Sequence, residues 1–226
     1  ALIAEEEGMH CCQDTGFPVI FVDWGEEVRI EGGSLNEAIN EGVRRAFIDG
    51  YFQRAFLRSP LEWESRGPDV PPIIHTEVTP GDRLTLTFLP KGGGAEHMSR
   101  VGILLPYAGK EGIKAFVLRV VSEAGPGACP PLIVGLGMGG TLEAASLLAE
   151  RALLRPVGEK SPDPLLSELE EELLSEINRL GIGPQGYGGR VTALAVHAQM
   201  MTSRASGFPL AVNLQCNSHR LKRITL

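Results

Sequence analysis

Apolar residues along this chain follow two spacings, short runs suited to strands and a three-to-four-residue repeat suited to helices. Residues 19–22 and 28–30 read as two short strands separated by a polar turn at 23–27. Ser34 and Glu37 form a capping-box pattern ahead of Leu35, Ala38, Ile39, Val43, Ala46, Phe47 and Tyr51, so a helix is expected to run to about Leu57 and stop before Pro60. After a proline-rich connection at 68–72, residues 73–78 and 84–89 read as a strand pair joined around Pro80-Gly81-Asp82. The second of these runs into Lys91-Gly92-Gly93-Gly94.

A helix is expected over 110–124, with Ile113, Phe116, Val117, Val120 and Val121 as its buried stripe and Pro126-Gly127 as its stop. A short strand at 132–136 leads through Gly137, Gly139 and Gly140 into a helix carrying Leu142, Ala145, Leu148, Ala149 and Ala152. The next helix has the strongest signal. Asp163 and Pro164 supply its start, Leu165, Leu166, Leu169, Leu173, Leu174, Ile177 and Leu180 its apolar face, and Gly181 its end. Strand candidates at 191–197 and 210–215 follow. Strands and helices mix without strict alternation, which favours an α+β fold, mixed sheets with packed helices, over a doubly wound sheet. The length suits one domain, or two lobes around a cleft.

Composition adds exclusions. The chain is 43% hydrophobic and 22% charged, so it can build a core, and its 28 glycines and 16 prolines point to many loops. A net charge of −7 and an acidic run at 168–176 argue against nucleic acid, although a cleft with local arginines could still take a small anion. No segment approaches the roughly 20 apolar residues of a membrane span, and no signal segment opens the chain. A cytoplasmic protein is expected.

Candidate chemistry centres on Cys12, Cys129 and Cys216, each where an element gives way to a loop. Their wide separations match no compact metal motif, and from spacing alone unrelated core thiols are the simpler reading. The stretch 135–140 has the look of a dinucleotide fingerprint, but residues 155–163 form a polar, proline-containing loop where that reading needs a second strand with an acidic end. His75 and His197, among apolar neighbours, read as core histidines.

Longer words surround the cysteines: Cys12-Gln13-Asp14-Thr15-Gly16, Lys91-Gly92-Gly93-Gly94-Ala95-Glu96, Cys129-Pro130-Pro131 with Gly135-Leu136-Gly137-Met138-Gly139-Gly140-Thr141, Gly183-Pro184-Gln185-Gly186-Tyr187-Gly188-Gly189, and Ala211-Val212-Asn213-Leu214-Gln215-Cys216. In order, these resemble the signature segments of the alpha region of class I fumarate hydratases and tartrate dehydratases, from residue 1 to about 220. The resemblance implies a hydro-lyase with a four-iron four-sulfur cluster on Cys12, Cys129 and Cys216, one iron being left open as a Lewis acid. It implies that Gln13 and Asp14 lie at the reacting centre, with Asp14 the proton donor, and that Arg44, Gly93 and Gly94 contact the substrate carboxylates. Arg45 competes with Arg44, and Lys91 itself is expected to point away into solvent.

The resemblance also implies a small dicarboxylate or hydroxy-acid substrate, fumarate/malate or tartrate, and a beta subunit from a separate chain in an alpha2beta2-type assembly. The family's helical segment before the position of Ala1 is expected to be missing. Arg204 stands where the family commonly has a substrate-contacting histidine, which puts the identity of the acid in question. His97 and Asn217-Ser218-His219 are further departures, Cys11 is assigned no role, and His10 is a candidate only for tuning the cluster. A non-catalytic iron–sulfur carrier or redox sensor is the alternative reading of the same three thiolates.

Overall fold

The computed structural model describes residues 2–9, 12–52, 56–65 and 70–226. His10, Cys11, residues 53–55 and the start of the 68–72 connection lie outside the described residues. The chain divides into two units, Ala1–Gly92 with Arg220–Leu226, and Gly93–His219.

In the first unit, α1 (Leu2–Glu6) is a short exposed helix, followed by β1 (Phe17–Gly25), α2 (Leu35–Asp49), β2 (Leu57–Ser59), β3 (Glu62–Ser65), β4 (Ile73–Thr79) and β5 (Leu84–Lys91). In place of the two short strands expected before residue 31 there is one nine-residue strand, β1, and residues 28–30 belong to no strand. Pairing on both sides carries β1 through Asp23 and Trp24, where a turn is expected: it runs parallel to β4 and antiparallel to β5. That insertion also corrects the expected 73–78/84–89 pair, because β1 lies between β4 and β5. Their connection hooks over the end of β1, with Gly25 N donating to Arg83 O (2.8 Å) and Glu26 N to Thr79 O (2.8 Å). A Cβ on Gly25 would stand 2.4 Å from Gly81 O, so only glycine permits that crossing.

Helix α2 ends at Asp49 instead of continuing to Leu57, since Tyr51 is left-handed (φ 52°) and Leu57 enters β2. Ser34 has an extended N-cap backbone but makes no side-chain cap bond. The helix buries Ile39, Val43 and Phe47 against Ile20 and Val22 of β1.

The second unit contains α3 (Gly93–Met98), β6 (Arg100–Leu104), α4 (Gly109–Ala124), β7 (Leu132–Met138), α5 (Leu142–Ala152), α6 (Pro164–Arg179), β8 (Ala193–Met200) and β9 (Phe208–Gln215). After it, β10 (Lys222–Thr225) rejoins the first unit along β5. The sheet order in the second unit is β6-β9-β7-β8, with β7 parallel to β8 and antiparallel to β9. Val134, Leu136 and Met138 share a core with Val117 and Val121 of α4 and Leu169, Leu173 and Ile177 of α6. The alternate positions, Gly135 and Gly137, meet α5.

Those glycines are packing residues. A Cβ on Gly135 would lie 2.1 Å from Ala149 O, and one on Gly137 1.9 Å from Ala145 O, both backbone atoms that cannot swing aside. The G-x-G run therefore lets α5 approach β7. Gly137→Ala is expected to destabilise the fold by about 3 kcal/mol, the upper end of ordinary overpacking, as measured by urea unfolding.

Helix α6 starts as its sequence directs, Leu165 N donating to the Asp163 carboxylate (2.9 Å). Leu165 itself is exposed, outside the apolar face on which its spacing placed it. Glu170 of α6 is buried, paired with Arg155, and accepts the Ala198 N–H on β8 (2.7 Å). Because β8 is the last strand of its sheet among the described residues, this carboxylate satisfies one N–H on an edge strand. Among the described residues no helix is long and apolar enough to cross a membrane.

Candidate functional site

In the first unit, the segment before β1 is tied down at every residue from 14 to 16. The Asp14 carboxylate accepts the Gly16 N–H at 2.9 Å, closing a turn, and Arg220 Nη2 donates to the carbonyls of Asp14 (2.9 Å) and Thr15 (3.2 Å). Gly16 is left-handed (φ +85°), and a Cβ there would stand 2.7 Å from the Lys91 backbone, so the loop lies flat on the end of β5. Cys12 is a half-buried free thiol 3.8 Å from Gln13 Oε1, and the Gln13 side chain is exposed. Lys91 is not solvated as its sequence suggested: it is 3% exposed.

Arg44 and Arg45 on α2 both engage Glu41, Arg44 through two bonds (2.7 and 2.9 Å) and Arg45 through one (2.6 Å). The two guanidiniums hold the Glu41 carboxyl down at about 2, so it is ionised at neutral pH. Arg44 is the less exposed of the two, with its fork presented as a planar carboxylate-binding group.

In the second unit, Cys129 caps a 3-10 turn (Gly125–Ala128) in the left-handed conformation, φ 55° and ψ 62°. Its N–H donates to Pro126 O at 3.0 Å and its carbonyl accepts from Asn217, the residue after Cys216. Gly94 stands exposed in the first turn of α3, where a Cβ would lie 2.7 Å from Gly127 O and 4.0 Å from Cys129 Sγ. Gly93 and Gly94 thus open a helix, and the absence of a side chain at Gly94 lets its backbone pass close to Gly127 and beside the Cys129 sulfur. Cys216, 8% exposed, belongs to the α4/α6 core against which Cys129 also packs.

Arg204 is exposed in the turn between β8 and β9, opposite Gly207. His97 is exposed near the end of α3. Residue spacing carried no sign of Arg220, Gln185 or Asn217, which act on main-chain carbonyls in the two cysteine loops.

His197 is a core histidine. It is 2% exposed on β8, and burial first, then the nearby Arg155 charge, push its pKa down to about 4, against a bond with the Ala152 backbone that raises it. Its Nδ1 has no hydrogen-bond partner. A proton is therefore taken up by the unfolded chain below about pH 6.5 but not by the folded one until about pH 4. Stability should be undiminished above pH 6.5 and fall between 6.5 and 4, by roughly 3 kcal/mol in total. Urea titrations across that window, with His197→Gln showing a shallower slope, check the assignment.

Among the described residues no three His, Cys, Asp or Glu side chains converge as they would around a single metal ion. An iron–sulfur cluster makes a different demand, since its thiolates bind separate irons. The chemistry of the residues suits it: Cys12 in the first unit and Cys129 and Cys216 in the second are cysteines outside any disulfide.

Comparison with known proteins places the chain in a family. Residues 1–225 match the family model described as Fumarate hydratase (Fumerase). A protein of Methanocaldococcus jannaschii named "Putative L(+)-tartrate dehydratase subunit alpha" is 40% identical over 99% of this chain and 81% of its own length. The L(+)-tartrate dehydratase subunit alpha of Escherichia coli O157:H7 is 34% identical over 92% of this chain and 70% of its own. The chain belongs to the fumarate hydratase family and is a hydro-lyase of that type.

Proposed function

We propose that this chain is the cluster-bearing alpha subunit of an enzyme that removes water from, or adds it to, a four-carbon hydroxy-dicarboxylate. The observation that carries the reading is the pairing of a bare glycine turn with a left-handed cysteine, Gly94 over Cys129. Cys12, Cys129 and Cys216 would hold a four-iron four-sulfur cluster. When bound, that cluster supplies a Lewis-acidic iron for the substrate hydroxyl.

The chain's own residues supply binding and proton transfer. Asp14 gives a proton to the departing hydroxyl, which leaves as water, a base supplied by the beta subunit takes the proton from the neighbouring carbon as the C=C bond forms, and Gln13 orients the substrate beside Asp14. Arg44 takes one carboxylate in two-pronged fashion, exchanging its bonds to Glu41 for bonds to substrate. Gly93 and Gly94 allow close approach of a carboxylate to the backbone, and Arg204 provides a cation for a further carboxylate or hydroxyl.

Two acids are compatible with these groups, malate with its dehydration product fumarate, and tartrate; the names of the relatives favour tartrate. A beta subunit from a separate chain completes the enzyme, in an alpha2beta2-type assembly within the cytoplasm. The test is anaerobic purification with and without that partner, iron and sulfide analysis, and turnover on L(+)-tartrate, malate and fumarate. Cluster content with turnover only in the complex supports the proposal. A colourless chain that leaves all three acids untouched in the complex overturns it, and bound cluster without turnover would indicate a carrier or redox sensor instead.

A further inference from the structure

Two consecutive carbonyls at Cys129 are each held by both nitrogens of one amide residue. Cys129 O accepts from Asn217 N (3.3 Å) and Nδ2 (3.0 Å), and Pro130 O accepts from Gln185 N (2.8 Å) and Nε2 (3.4 Å). Gln185 is itself left-handed (φ 53°), a conformation that non-glycine residues hold only where their surroundings impose it. Beside it, a Cβ on Gly186 would meet Pro126 Cβ at 2.5 Å, so this loop presses directly on the turn that precedes Cys129. All of these residues belong to the Gly93–His219 unit.

We propose that Gln185 and Asn217 are positioning residues for the Cys129 thiolate, and that Asn217 sets the Cys129 and Cys216 loops against each other before any cluster binds. The inference rests on the reading of these two cysteines as cluster ligands. Its physical basis is that a left-handed residue has little conformational support of its own. Fixing the carbonyl of Cys129 and the one after it holds the backbone there, and with it the direction of the Cα–Cβ bond that carries sulfur. A ligand loop prepared in this way loses less freedom when the cluster arrives, which tightens binding and slows release. The role also gives a task to the 183–189 glycine-rich segment, which the proposed chemistry leaves without one.

The test uses Gln185→Gly, Asn217→Gly and the double variant of the full chain. Glycine at 185 removes the side-chain donor while accepting the left-handed backbone, and glycine at 217 keeps the backbone donor, so neither change should unfold the protein. Two rates are measured: transfer of iron from reconstituted protein to a ferrous chelator, and iodoacetamide modification of Cys129 in iron-free protein, with Cys12 as the internal reference. The expected result is iron loss about 10- to 100-fold faster in the double variant and faster modification of Cys129 with Cys12 unchanged. Unaltered iron release with an unaltered Cys129-to-Cys12 ratio overturns the proposal. So does equal acceleration at both cysteines, which would mean general loosening. If the parent chain binds no iron and sulfide, the cluster reading fails, and the modification ratio still judges the two clamps.

Discussion

Cys129→Ala protein, prepared without oxygen, is expected to carry almost no iron and to be inactive in the presence of its partner, yet to melt within a few degrees of the parent. The two halves of that expectation have separate causes. The side chain is only partly buried, and alanine keeps the Cβ, so little packing is lost. The backbone bonds from Pro126, Asn217 and Gln185 involve no atom of the thiol and would survive. What disappears is the thiolate itself, which the methyl group of alanine cannot replace as an iron ligand. Iron and sulfide content, near four of each in the reconstituted parent and close to zero in the variant, is the primary measurement, with turnover as the second. A variant with full iron content would remove Cys129 from the ligand set and leave the strained loop with no chemical purpose.

The parts of the fold that were legible in the sequence are those whose cause is local. Helix α6 has its cap at Asp163, its proline at the first position and its glycine stop at Gly181, and it forms as written. The alternation of β7 and the glycines facing α5 were visible as residues, but their purpose was not, because close helix packing and phosphate binding both ask for glycine. Strand β1 was misread as two strands because Asp23 and its neighbours look like a turn, and only pairing to β4 and β5, more than forty residues away in sequence, keeps them extended. The same insertion reversed the expected partnership of β4 and β5.

Among the candidate residues, Cys12, Asp14, Cys129 and Cys216 stand out by the words around them. Gln185 and Asn217 lie in quoted stretches too, but their task and that of Arg220 do not show there, since all three act on main-chain carbonyls, and a carbonyl leaves no mark on sequence. Lys91 shows the converse: a lysine before three glycines suggested a solvated charge, whereas the backbone contact with Gly16 and the β1–β5 pairing bury it.

Asp14 poses the sharpest test, because its structural and chemical roles use the same carboxyl group. Its Oδ1 closes the turn to Gly16 N, a task common for aspartate in any loop. Asparagine can do that equally well, since its side-chain carbonyl accepts the same hydrogen bond, but it cannot deliver a proton to a leaving hydroxide. Asp14→Asn is therefore expected to keep the thermal midpoint and iron content of the parent while kcat falls by about 10²- to 10⁴-fold, the usual worth of a general acid. Asp14→Ala should add a structural loss of about 1 kcal/mol from the missing turn bond, visible in unfolding but adding little to a rate already lost. The pattern across the two variants decides the matter. If asparagine restores turnover to within tenfold of the parent while alanine does not, the carboxyl serves the turn alone, and the proton must come from elsewhere. If both are equally inactive and only alanine is less stable, Asp14 carries the proton, and the bonds from Gly16 and Arg220 are what aim it.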